Sequence, residues 1–209
     1  ARRMGLVGLG AGSLACYYRQ GDDWRFYEID PLVAELASDG RFFALVPNCV
    51  PEVPIILGDA RLTLAREPAA AFQALVVDAF SSDSIPMHLL TTEAMALYFD
   101  KLSEDGVLVL HISNQFLDLR PVVSRIAKTL GLVGMVGLSE GGSEEDGPYG
   151  DLPSLWIALA RDETVLDRLG LGEHWWALPP ADGTPAWTDD HSNILEVIRW
   201  GGIDAEEGR

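Results

Sequence analysis

The chain has 209 residues, 48% of them hydrophobic, and a formal net charge of −17. That length and apolar content suit one sizeable α/β domain and fall short of two. The acidic balance argues against a nucleic-acid or anionic-membrane surface, which needs clustered Lys and Arg; it fits a small cationic partner, and equally plain solubility. No apolar run reaches the length of a membrane span and the first residues do not resemble a signal peptide, so the expected location is the cytoplasm. Cys16 and Cys49 have neither metal nor redox spacing and are expected to be free thiols; the four histidines show no metal-ligand spacing either.

The chain opens on a short apolar strand, 4–7, followed by Gly8-Leu-Gly-Ala-Gly12 and a helix over 13–19. A strand that ends in glycines and turns into a helix aims free backbone N–H groups and a positive dipole end at one spot, which suits a phosphate, a carboxylate or a ribose. Residues 24–30 predict a second strand with an acidic end, and Pro31 a helix start with Asp30 as N-cap, running to about 38. The stretch 41–54, with Pro47, Pro51 and Pro54, reads as irregular. A third strand over 55–57 ends in Gly58-Asp59-Ala60, with a helix over 61–66 behind it. The apolar run 74–78 predicts a fourth strand buried on both faces.

Residues 79–90 read as a loop, 92–102 as an amphipathic helix capped from Thr91, 106–112 as a fifth strand, and 119–130 as another helix. A sixth strand over 132–138, a mobile loop over 139–151 rich in Gly, Ser, Glu and Asp, and a seventh strand over 155–160 follow. The end is a short helix, 163–169, an irregular tail and a frayed terminus at 204–209. Strands alternating with helices predict a doubly wound, mostly parallel seven-stranded α/β sheet; the loop between the last two strands makes the edge strand antiparallel. Ligands in such sheets sit outside the carboxyl ends of the strands.

Those ends carry the candidate residues. Glu28, about twenty residues after the glycine turn, is placed to accept bonds from both ribose hydroxyls, or is a solvated strand-end charge. Asp59 and Ala60 can meet an adenine through a carboxylate and an N–H; Asp59 also reads as a helix N-cap. Asp78 and Asp83 flank the loop after the fourth strand, where a carboxylate in a partly desolvated site can take a proton from an attacking amine. Ordinary turn chemistry gives the same residues. His88, Asn114 and the pair Asp189 and Asp190 complete the set, as substrate contacts or as turn and cap residues.

Gly8-Leu-Gly-Ala-Gly12, Tyr27-Glu-Ile-Asp30, Gly58-Asp-Ala60, the run from Asp78 to Thr91 and Trp187-Thr-Asp-Asp190 together resemble the spermidine synthase-like branch of the class I S-adenosylmethionine-dependent methyltransferase fold. The resemblance covers roughly 4–198 and is most specific over 78–91. It implies an adenosyl sulfonium cofactor bound by Gly8, Gly10, Gly12, Glu28, Asp59 and Ala60, and no metal. It implies Asp78 as general base toward a small cationic amine, with Asp83, His88, Asn114, Asp189 or Asp190 on the acceptor. It also implies a homodimer and, for family members whose two loop aspartates are separated by four residues as Asp78 and Asp83 are, fusion to a membrane segment outside the sequence; the family's N-terminal β-hairpin domain is expected to be absent from this stretch.

Two enzyme readings and one other follow. The first is aminopropyl transfer from decarboxylated S-adenosylmethionine to a polyamine or related amine. The second is methyl transfer from S-adenosylmethionine itself, favoured by Ala11, which stands where spermidine synthases carry an Asp. The third is a non-catalytic nucleoside-binding domain of a larger membrane-linked protein.

Overall fold

The computed structural model describes residues 1–79, 86–139, 141 and 153–199. Asp83, the tail 204–209 and all but 139 and 141 of the loop expected over 139–151 lie outside them. Among the described residues eight strands lie in the order β3-β2-β1-β4-β5-β7-β6-β8, one more than the seven expected. They are β1 (Arg3–Val7), β2 (Asp23–Glu28), β3 (Ile55–Leu57), β4 (Phe72–Val77), β5 (Leu102–His111), β6 (Val133–Ser139), β7 (Ser154–Ala160) and β8 (Trp175–Ala177). The chain divides into two compact units, Ala1–Ala79 with Ala96–Leu110, and Phe80–Met95 with His111–Arg209.

In the first unit β1 is central, parallel to β2 on one side and to β4 on the other; β3 joins β2 and β5 joins β4, both parallel. The strand order therefore reverses direction at β1, the point where an open α/β sheet leaves a crevice beyond its carboxyl ends. Leu6, Val7, Phe26, Leu75 and Val77 are buried, as a sheet covered on both faces requires. Leu6, Leu9, Ala15, Trp24, Phe26, Ala34, Ala37, Val46 and Val50 form one apolar cluster.

Some helices start where side-chain caps dictate. Asp30 accepts from the Leu32 N–H and Pro31 opens α1 (Pro31–Ser38). Asp59 does the same for α3 (Ala60–Leu64), accepting from Arg61 and Leu62. The stretch 41–54 is not wholly irregular: it holds α2 (Leu45–Cys49), because Pro47 falls in the first turn, where an N–H has no helical partner to lose. Nor are the two cysteines free. Cys16, in the 3-10 helix Ser13–Tyr17, is disulfide-bonded to Cys49 at the end of α2.

β5 starts earlier than its apolar run. Phe72 pairs with Leu102 and Ala74 with Val107, so 103–106 bulge out of register. Residues 103–105, left between the expected helix and the expected fifth strand, thus lie inside a strand.

In the second unit α5 (Arg120–Leu130) ends on Gly131, whose φ of 67° allows the left-handed stop. β6 runs antiparallel to β7 from Val133↔Ala160 to Ser139↔Ser154, and antiparallel to β8 on its other edge. α6 (Glu163–Asp167) is capped by Asp162. Arg125 is buried; its guanidinium donates to Asp182 at 2.9 and 2.6 Å and to Glu196 at 3.2 Å, fastening two points of the tail to α5.

The Arg125 hydrogen bonds, with those from Thr184, hold the Asp182 carboxyl well below the usual carboxylate range. A depressed folded-state value stabilises the fold above the unfolded value, about pH 3.9, and that contribution is lost as pH falls toward the folded value. Asp182→Asn is expected to lower the urea midpoint at pH 7 and to flatten its fall below about pH 4; unchanged pH dependence would exclude the pairing.

Candidate adenosyl site

Three glycines shape the turn after β1, each for its own reason. Gly8 has φ 93°, and a Cβ there would overlap the backbone carbonyl of Asp78, so the turn lies directly against the end of β4. Gly12 has φ 81°, and a Cβ there would overlap a methyl of Val46 in α2. Gly10 has φ 51° and nothing within 4 Å of where its Cβ would sit, so it faces open space. The Gly8 N–H donates to the Tyr27 carbonyl at 2.9 Å and the Gly12 N–H to Leu9 at 2.8 Å; those of Gly10 and Ala11 meet no acceptor among the described residues.

Glu28 ends β2 and is 7% exposed. It is not a solvated charge. One carboxylate oxygen accepts from the Leu9 N–H and the other from the Asp30 N–H, both at 2.9 Å. Each oxygen keeps a second lone pair, enough for a vicinal diol. The Glu28 carbonyl accepts from Gly58 N–H at 2.9 Å, which links this carboxylate's strand to the next turn. There Gly58, at φ 130°, turns the chain into Asp59, which spends one carboxylate oxygen on the Arg61 and Leu62 amides; Ala60 is buried behind it.

Asp78 follows β4 and is half-buried; its N–H donates to the Val7 carbonyl at 2.8 Å. The pairing of β1 with β4 thus sets it beside the glycine turn.

Two features of this unit escape a reading of the sequence. Tyr98 is fully buried, and burial above all holds its hydroxyl far above the usual tyrosine range; the Arg61 charge pulls it down and the Asp59 charge pushes it up. It stays a neutral phenol near the third-strand turn. Ile29, Leu32, Leu57 and Leu62, which flank the Glu28 and Asp59 turns in sequence, stay 54–67% exposed. Apolar residues next to a strand look like core, so only their exposure in the fold marks them as candidate contacts for an apolar ligand face.

The remaining candidates belong to the second unit. His88 is exposed in the 3-10 turn Met87–Leu89. The Asn114 side-chain oxygen accepts from the amides of Phe116 and Leu117 at 2.9 and 2.8 Å, closing a turn. Asp189 accepts from the Thr91 hydroxyl at 2.7 Å and its own N–H donates to Glu93 at 3.0 Å, while the Trp187 carbonyl takes both the N–H and the hydroxyl of Thr92. The run 187–189 is therefore docked at the start of α4 (Thr92–Lys101). Asp190 is exposed. His111, at the end of β5, pairs with the Ser113 hydroxyl at 2.6 Å and stacks on Trp156 at 4.5 Å.

No helix among the described residues is long and apolar enough to cross a membrane. Among them, no group of three or more His, Cys, Asp or Glu is arranged to hold a metal ion.

Comparison with known proteins agrees with the fold. No family model matches the chain. A polyamine aminopropyltransferase of Vibrio vulnificus (strain CMCP6) is 34% identical over 113 residues, which cover 51% of this chain and 36% of that protein. The match thus spans about a third of the relative's length. A probable spermidine synthase from Corynebacterium glutamicum ATCC 13032 superimposes with a TM-score of 0.64 over 92% of this chain and 74% of its own, at 18% identity. A precorrin-6y C5,15-methyltransferase from Geobacter metallireducens GS-15 does so with 0.56 over 76% and 80%, at 15% identity. The fold is that of the class I methyltransferases, in a spermidine synthase-like form.

The glycines separate by experiment. Gly8→Ala is expected to cost about 3 kcal/mol or more, from overlap with Asp78 added to the positive φ. Gly10→Ala should cost only about 1–2 kcal/mol, because its backbone angle is the sole penalty. Urea unfolding of the two variants reads the difference, and equal losses would contradict the packing described.

Proposed function

We propose that this chain is an adenosyl-sulfonium-dependent transferase that moves an aminopropyl group onto a polyamine or a related amine. The observation that carries the reading is the turn after β1: Glu28 braces it and Asp78 lies against it. The aminopropyltransferase that shares 34% identity over 113 residues supports it.

The bound sulfonium supplies an activated carbon and a neutral thioether leaving group. The chain's own residues do the rest. Glu28 holds the ribose through its two remaining lone pairs, and Asp59 with the Ala60 amide holds the adenine edge. The exposed apolar side chains of Ile29, Leu32, Leu57 and Leu62 offer the purine its flat walls. Asp78, half-buried beside the turn, accepts the proton that the acceptor's ammonium must lose before its nitrogen can attack. Rate comes mainly from alignment of nitrogen, carbon and sulfur. The net charge of −17 draws a polycation toward the chain. For the acceptor's second ammonium the carboxylates to test are Asp83, Asp189 and Asp190.

A specific observation also favours methyl transfer. The amides of Gly10 and Ala11, which meet no acceptor among the described residues, can take the carboxylate that S-adenosylmethionine keeps and its decarboxylated form lacks, and Ala11 brings no opposing charge.

Calorimetry with S-adenosylmethionine, its decarboxylated form and methylthioadenosine separates the two, followed by an amine screen read by mass. Preference for the decarboxylated compound and a product heavier by an aminopropyl unit is expected; a methylated product would establish the second reading instead. Asp78→Asn should cut turnover by roughly 10²–10⁴-fold with cofactor affinity unchanged, and full activity would remove Asp78 as the base. In Glu28→Gln the new amide nitrogen faces a backbone N–H, so one brace is lost. Cofactor affinity should fall at least about tenfold and stability by about 1–3 kcal/mol, both read from calorimetry and urea unfolding.

A further inference from the structure

We infer that the Cys16–Cys49 disulfide controls the affinity of the adenosyl site, so that its reduction by a dithiol weakens cofactor binding. The inference rests on the adenosyl reading above. Cys16 lies four residues after Gly12, in the 3-10 helix that leaves the glycine turn. Cys49 ends α2, the helix whose Val46 is packed against Gly12. Each of these helices has five residues and neither has a side-chain cap. Helices that short do not hold themselves together, so what fixes them is packing and, here, a covalent tie.

The ring closed by the disulfide spans a sequence separation of 33 and contains Glu28 and Asp30, the carboxylate that braces the turn and the residue whose amide it uses. Both ends of the tie therefore bear on the support of Gly12, whose φ of 81° sets how the chain leaves the turn. Without the tie, α2 can draw away from Gly12, and the turn samples conformations that ligand binding must then suppress. That ordering cost appears as lost affinity.

The chemistry is thiol–disulfide exchange. Cys16 is exposed and Cys49 half-buried, so a thiolate of the dithiol attacks the Cys16 sulfur. The S–S bond breaks, and Cys49 leaves as a thiolate and takes a proton. The second thiolate of the reductant then attacks its own sulfur in the mixed disulfide and releases Cys16. Two electrons pass from the dithiol, which ends as a disulfide, and the protein ends with two thiols. By reciprocity, a bound ligand opposes reduction by the same factor by which reduction weakens binding.

The test uses the whole chain, methylthioadenosine and S-adenosylmethionine as ligands, and dithiothreitol as the dithiol. Thiol titration of protein purified without reductant should find none, and two after reduction. Reduced protein and the Cys16→Ser/Cys49→Ser variant are expected to bind about tenfold more weakly than oxidised protein. Reoxidation should restore only the wild type. Amide hydrogen exchange over 9–17 and 45–49 should quicken on reduction even without ligand, which keeps the inference open to test if the variant fails to fold. Two free thiols in the untreated protein, or equal affinity in both states, would overturn it. Oxidised protein that binds no adenosyl ligand would instead overturn the functional reading, and this inference with it.

Discussion

One buried carboxylate organises the first unit. Glu28 sits at the end of β2 with an oxygen on each of two amides, Leu9 in the turn after β1 and Asp30 at the entry to α1. A buried carboxylate is tolerated only when such donors replace the water it has lost. The requirement runs both ways. The glycine turn must present the Leu9 amide at one place, and the chain after β2 must bend to present that of Asp30. Two turns that are separate in sequence become one assembly, and the carbonyl of the same residue then reaches Gly58 in a third. Lone pairs join the close packing at Gly8 and Gly12 in settling the geometry at the carboxyl ends of β1, β2 and β3.

Much of this is legible in the residues, because the signals are local and physical. Pro31 behind Asp30, and Asp59 behind Gly58, mark helix starts through capping, and both caps form. Continuous apolar runs mark β1 and β4. What fails to show is whatever depends on distant partners. Pro47 disguises α2, since a proline signals a break unless the helix begins just before it. β8 has three residues and exists because β6 offers an edge. The polar start of β5 is a bulge set by the pairing of Phe72 and Ala74. The Cys16–Cys49 bond needs a helix that sequence spacing does not reveal.

The same division runs through the site. Glu28, Asp59 and the glycines are recognisable because a strand-end turn followed by a carboxylate is a pattern in one dimension. The second duty of Glu28, as a brace, depends on which amides lie within 3 Å and is visible only in three dimensions. Asp189 is another such case. Its place in an acidic run suggests a ligand for a cation, and the sequence does not show that Thr91, nearly a hundred residues earlier, donates to one of its oxygens. Composition speaks to the field around the chain; it does not say which carboxylates remain at liberty.

The docking of 187–189 on the start of α4 has a consequence for how the molecule assembles. Thr92 gives its N–H and its hydroxyl to the Trp187 carbonyl across a sequence separation of 95, and Trp187 itself is buried. Closing so long a loop is entropically costly and comes late, since contacts remote in sequence slow folding more than local ones. During synthesis α4 emerges from the ribosome with these donors turned to water, and they find their acceptor only after β6, β7 and β8 have been made. The first unit's sheet can form earlier around β1, but one end of α4 stays provisional until almost the last described residues arrive.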